Sequence, residues 1–139
     1  MRLAAFVLAL GLAGCAGTNT SSTTPPNSPQ TTVALTVKTV ADSASAGVTT
    51  VINLRDQGKL SQANTTTIEN YLGFVASTDK AISGILAKPE PWAQQKAEIL
   101  TLLATVTAPT LATTIDPGAQ AVVAQIVTLL NQIKVQVSQ

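Results

Sequence analysis

The sequence predicts an all-α protein: an antiparallel up-down four-helix bundle that follows an N-terminal leader and a polar tether. Three observations predict it. From Val33 onward, apolar residues recur three or four apart, the spacing that lines one face of a helix. Proline and glycine fall where four such stretches would be separated. The connections left between the stretches are short, which favours antiparallel neighbours. A chain of 139 residues suits one domain, with a thin core because only 3% of residues are aromatic.

Arg2 gives the leader a positive start, and Leu3 to Leu12 is an apolar run of about ten residues, the length of a secretory core segment. A membrane-spanning helix needs about twenty. The run ends in Leu12-Ala13-Gly14-Cys15. Small residues at 13 and 14 let an extended chain enter a signal-peptidase cleft, and the cysteine offers a thiol for thioether attachment of a lipid. This stretch resembles the start of bacterial lipoprotein precursors, whose lipobox is Leu, a small residue, Gly or Ala, then Cys. All four positions fit, and the match covers residues 1–15. The resemblance implies cleavage between Gly14 and Cys15, a diacylglycerol on Cys15, and usually an amide-linked third acyl chain. In the Gram-negative pathway an Asp after the cysteine tends to retain lipoproteins in the inner membrane. Ala16 stands there instead, so the resemblance implies the outer membrane, facing the periplasm. An ordinary signal peptide with an incidental cysteine is the alternative.

Residues 15–32 read as the acylated cysteine and its tether. Ala16 to Thr32 holds no charge and no large apolar residue, and it carries Pro25, Pro26 and Pro29. Such a segment cannot bury enough surface to offset its chain entropy. Its end-to-end distance is on the order of 20–25 Å, a spacer between lipid headgroups and a folded part.

The bundle is expected over 33–139. Val33, Val37, Val40, Ala44, Val48 and Val51 share one face and define a helix over about 33–56. Thr31 to Val40 also alternates in part, which leaves a strand open there. Gly58 suits a left-handed C-cap and Ser61 an N-cap. The second helix, about 62–87, carries Ile68, Tyr71, Leu72, Val75, Ile82, Ile85 and Leu86 and ends at Lys88-Pro89-Glu90-Pro91. Pro91 suits the first turn of a third helix, about 91–107, with Trp92, Ile99, Leu100, Leu103 and Val106 on its stripe. Pro109 ends or kinks it, and Thr110 to Ile115 is open between a loop, one turn and a continued helix. Asp116-Pro117 reads as an N-cap followed by proline at the first helical position, starting a helix over about 117–136.

Composition narrows function by exclusion. There is no histidine, and Cys15 is the lone cysteine. Ser-His-Asp and Cys-His catalysis, zinc fingers and internal disulfides are therefore excluded. Loss of a leader containing Arg2 leaves seven basic and seven acidic side chains, so no electrostatic footprint for nucleic acid exists. Ser77-Thr78-Asp79-Lys80 matches the S-x-x-K of penicillin-binding proteins, but S-D-N and K-T-G are missing, so it reads as polar helix surface. No phosphate-cradling glycine loop occurs, and the acidic residues are scattered, so no cofactor, no metal and no catalytic residue is expected. Helix four carries too many Gln and Asn residues to be expected to span a membrane. Tyr71 and Trp92 could line a pocket or anchor an interface, although such residues more often close the end of a helical core.

Thr and Ala number 21 each, so the exposed faces are mostly uncharged. Lys38 and Asp42 are one of few i,i+4 ion pairs, in the less favourable order. The lipobox, the tether and two helices joined through Leu54 to Ser61 resemble small helical lipoproteins of proteobacteria and prophages. The expectation is a lipid-anchored, non-catalytic envelope protein that acts on a protein partner, through self-association or as a structural element. The alternatives are a binding module for an apolar ligand or lipid, and a prophage-encoded factor for lysis or exclusion.

Overall fold

The computed structural model describes residues 28–112 and 114–139. The expected leader and most of the expected tether, with Gly14 and Cys15, lie outside the described residues. Four helices follow one another: α1 (Pro29–Asp56), α2 (Gln62–Leu86), α3 (Trp92–Thr105) and α4 (Pro117–Ser138). The all-α expectation holds. Thr31 to Val40 lies inside α1, so the strand reading fails there.

The helix boundaries follow side-chain caps. Ser28 accepts a hydrogen bond from the Thr31 backbone N–H at 3.2 Å, with Pro29 in the first helical position. Helix α1 therefore begins four residues before the expected start at 33 and takes the last part of the expected tether. Its other end is a Schellman motif. The Gly58 N–H donates to the Arg55 carbonyl, the Lys59 N–H donates to the Leu54 carbonyl, and Gly58 sits at φ 70°. Ser61 and Asp116 cap α2 and α4 through Asn64 N–H and Gly118 N–H. Helix α3 has no side-chain cap, and Pro91 stands just outside it rather than in its first turn. It stops at Thr105, two residues short of expectation, where Val106 turns extended. The open stretch after Pro109 is not a continued helix. Its described residues are non-helical, and the Ile115 N–H donates to the Ala112 carbonyl. Helix α2 ends one residue early, at Leu86, and α4 runs two residues longer, to Ser138.

Long-range pairs fix the topology. Thr36 near the start of α1 bonds Gln136 near the end of α4, while Leu54 meets Gly118 at the opposite end. These two helices are antiparallel, and α1 also packs closely along α2. Helix α3 packs more lightly, on α2 and α4. The reason is length. Helix α1, with 28 residues, spans about 42 Å, and α3, with 14, about 21 Å. The non-helical residues 106–112 and 114–116 carry the chain onward, and Ile115 is part of the core. The core is aliphatic: Val33, Val40, Val51, Ile68, Ile82, Ile99, Leu103, Ile126 and Ile133 are wholly or almost wholly excluded from solvent.

Threonine tolerates these helices by bonding to them. The hydroxyls of Thr36, Thr39, Thr50, Thr67, Thr101 and Thr128 each donate to the carbonyl four residues back. All but Thr36, which also meets Gln136 of α4, satisfy their hydroxyls in this way without a partner helix. Lys38 and Asp42 do pair, at 2.8 Å and well exposed, which adds little stability.

Two glycines have opposite roles. A Cβ at Gly47 would lie 2.7 Å from Val122 Cγ1 and 3.2 Å from Leu72 Cδ1, so α1 packs closely on α4 and α2 there. Gly73 has nothing within 4 Å of its would-be Cβ. Gly73→Ala is expected to stabilise by about 0.5–1 kcal/mol through helix propensity alone. Gly47→Ala gains the same propensity but forces a stiff valine aside, at about 1–3 kcal/mol, and is expected to destabilise. Urea unfolding midpoints that moved in the same direction for both would refute this packing.

Candidate functional site

Two candidate side chains of the bundle, Tyr71 and Trp92, do not form one site. Tyr71 is buried in α2, and Trp92 is half-buried at the start of α3. Fifteen residues of α2, about 22 Å, separate Tyr71 from the end where Trp92 begins the next helix. The Tyr71 hydroxyl has no hydrogen-bond partner, and burial pushes its pKa up. Both residues pack on the aliphatic core, the commoner fate of such side chains. Gly14 and Cys15 lie outside the described residues.

The S-x-x-K sequence comes apart in three dimensions. Ser77 and Lys80 are exposed, and the Ser77 hydroxyl donates to the Gly73 carbonyl at 3.0 Å. The two residues between them are buried, which corrects the reading of this segment as polar surface. Thr78 is satisfied by the Phe74 carbonyl at 3.0 Å. Asp79 is not satisfied. It is 2% exposed, and neither carboxylate oxygen has a hydrogen-bond partner. Burial pushes its pKa up to about 7, because an apolar surrounding disfavours the charged form.

Asp79 is the functional candidate that reading by motif missed. Its position carried the signal. Val75, Asp79 and Ile82 follow the four-then-three spacing of the buried stripe, so a carboxyl occupies a place where the pattern asks for an aliphatic residue.

Other buried polar atoms without hydrogen bonds occur in α3 and in the turn before it. Gln95 in α3 is 3% exposed; its amide nitrogen donates to the Lys88 carbonyl at 2.9 Å, and its amide oxygen has no partner. Glu90, in the turn before α3, has one oxygen without a hydrogen bond, 3.9 Å from the Lys88 ammonium. Lys88 itself bonds Glu98 at 2.7 Å, which raises its pKa and lowers that of Glu98. Among the described residues, every buried polar side-chain atom without a hydrogen bond belongs to α2, α3 or the turn between them. No group of three or more potential metal ligands occurs among the described residues.

Surface grooves complete the picture. One of about 700 Å³ lies between α1 and α4, lined by Thr39, Ser43, Ala46, Gly47, Val122 and Gln125 among others. Helix α4 is long and apolar enough to cross a membrane by length and composition alone; here its apolar stripe packs into the bundle core. No family model matches the chain, and no curated protein or solved structure does.

Proposed function

We propose that the protein is a lipoprotein of the cell envelope, held by acyl chains on Cys15 to the outer membrane and facing the periplasm. There it works through a protein partner or a second copy, without catalysis. The observation that carries the anchor is the sequence Leu12-Ala13-Gly14-Cys15 directly after an apolar run of secretory length. Two or three acyl chains hold a protein stably where one is marginal, since each buried CH₂ contributes about 0.8 kcal/mol. The interaction half rests on the surface. Charges make up 11% of the chain, and Leu35, Phe74 and Val135 are large apolar side chains left 46–63% exposed. A weakly charged surface of this kind resists association poorly.

Expression with labelled palmitate tests the anchor. The wild-type chain is expected to take label and sediment with membranes, and Cys15→Ser to lose both properties. A Cys15→Ser protein that stays in the membrane fraction would refute acylation as the anchor. In-cell crosslinking of the same wild-type strain tests the interaction. One specific adduct, or a dimer of the chain, is expected; adducts to abundant envelope proteins alone would refute that half.

A further inference from the structure

We propose that the tethered end of the bundle rests on the anionic phospholipid leaflet that holds the acyl chains, with Leu35 and Val135 inserted among the lipids. This docking rests on the acyl anchor at Cys15 and names the surface that the bundle meets there. Leu35 and Val135 are the two most exposed large apolar side chains among the described residues, at 63% and 59%. Each stands two residues from a buried neighbour on either side, Val33 and Val37 in α1 and Ile133 and Val137 in α4, so each points away from the core. The two belong to one patch. The Thr36 hydroxyl donates to the Gln136 amide oxygen at 3.0 Å, which joins the residues that follow them. Leu35 also continues the line of Thr39, Asp42 and Ala46 along the groove of about 700 Å³. Val135 walls a second groove, of about 410 Å³, with Gln132 and Gln136.

Connectivity puts this patch beside the anchor. Thirteen residues lead from Cys15 to Ser28, which caps α1, a reach of at most about 45 Å. Leu35 lies in the second turn of α1 and Val135 in the last turn of α4. The opposite end of α1 is about 42 Å further along.

Charge favours the same orientation. Helix α2 returns to the tethered end, and α3 sets out from it. The half of the bundle next to Ser28 carries Lys38, Lys80, Lys88, Lys96 and Lys134, against Asp42, Glu90 and Glu98 as solvent-facing acids. The other half carries Arg55 and Lys59 against Asp56, Glu69 and Asp116. The positive excess thus lies toward the leaflet and the negative excess away from it. Two aliphatic side chains would not hold a free protein to lipid. An anchored protein stays within reach of the surface, so a weak contact is populated. A docking face for a second copy has no reason to gather at the end nearest Cys15. Phe74, on α2, stays available to a protein partner.

The acylated full chain in vesicles of equimolar phosphatidylethanolamine and phosphatidylglycerol tests the docking, with brominated lipids as quencher. Trp92 is the lone tryptophan, so Trp92→Phe gives a dark background for Val135→Trp and, in a parallel protein, for Asn53→Trp. Asn53 is exposed on the same line of α1 as Leu35, five turns and about 27 Å further along. Inserted side chains reach the boundary of headgroups and acyl chains, so bromination is expected to lower the emission of Val135→Trp about twofold or more and that of Asn53→Trp hardly at all. The quenching at 135 is expected to fall when phosphatidylcholine replaces both lipids. A protein that floats with the vesicles but shows no quenching at 135 would overturn the docking. So would equal quenching at 53 and 135, or equal quenching in phosphatidylcholine. A blue-shifted but unquenched emission at 135, with a crosslinked dimer, would assign the patch to a second copy instead. A chain that does not float with the vesicles refutes the anchor, and this docking with it. If Val135→Trp folds poorly, Leu35→Trp in the same background takes its place.

Discussion

Asp79→Val is expected to stabilise the bundle, and to stabilise it more at pH 8 than at pH 5. Valine continues the stripe already formed by Val75 and Ile82 and leaves no polar atom to desolvate. In the wild type at pH 8, the unfolded chain has released the Asp79 proton and the folded chain holds the charge in an apolar site. The shift from 3.8 to about 7 corresponds to a penalty on the order of 4 kcal/mol, an upper figure because water that reaches the carboxyl lowers it. At pH 5 most of that penalty is absent, because the folded carboxyl keeps its proton. The stabilisation by valine is therefore expected to be greater at pH 8 by about 2–3 kcal/mol. Replacing a buried charge by an apolar residue of similar size is often stabilising for the same reason. Urea unfolding of both proteins at the two pH values measures it. A gain independent of pH would mean that Asp79 does not titrate between its folded and unfolded states.

The fold was legible because its punctuation is local. Gly58, Ser61 and Asp116 act through backbone atoms within three residues, and each caps the helix end assigned to it. Ser28-Pro29 carries the same chemistry as Asp116-Pro117, a capping side chain followed by proline in the first turn. It was hidden by the Thr- and Pro-rich stretch around it, which reads as tether by composition. The shortness of α3 was less legible. Val106 continues its apolar spacing, yet Pro109 disfavours helix in the residue before it, and the chain leaves the helix earlier still, at Thr105. Asp79 needed a different way of reading. A motif search pairs Ser77 with Lys80 and passes over the residue between them; only the helical period places that residue inside. Whether its carboxyl meets a buried partner depends on the side chains of three other helices, which no local pattern specifies.

Ile99→Ala is expected to cost 2–5 kcal/mol, the usual range for removing a fully buried aliphatic side chain, and to loosen α3 before the rest of the bundle. Ile99 and Leu103 are the two apolar side chains that α3 buries fully, and both are wholly excluded from solvent. A helix of 14 residues is marginal by itself, so its order depends on what those two side chains hold. The light packing of α3 on α2 and α4 offers little to replace the loss. Leu100→Ala is the matched control. It lies one residue away on the same helix, at 36% exposure, and is expected to cost under about 1 kcal/mol. Equilibrium unfolding gives the two magnitudes, and exchange of the α3 amides in native conditions shows where the damage falls. If both substitutions cost the same, α3 does not close the core through Ile99. If Ile99→Ala instead lowers protection in α1 as much as in α3, the bundle opens as one unit.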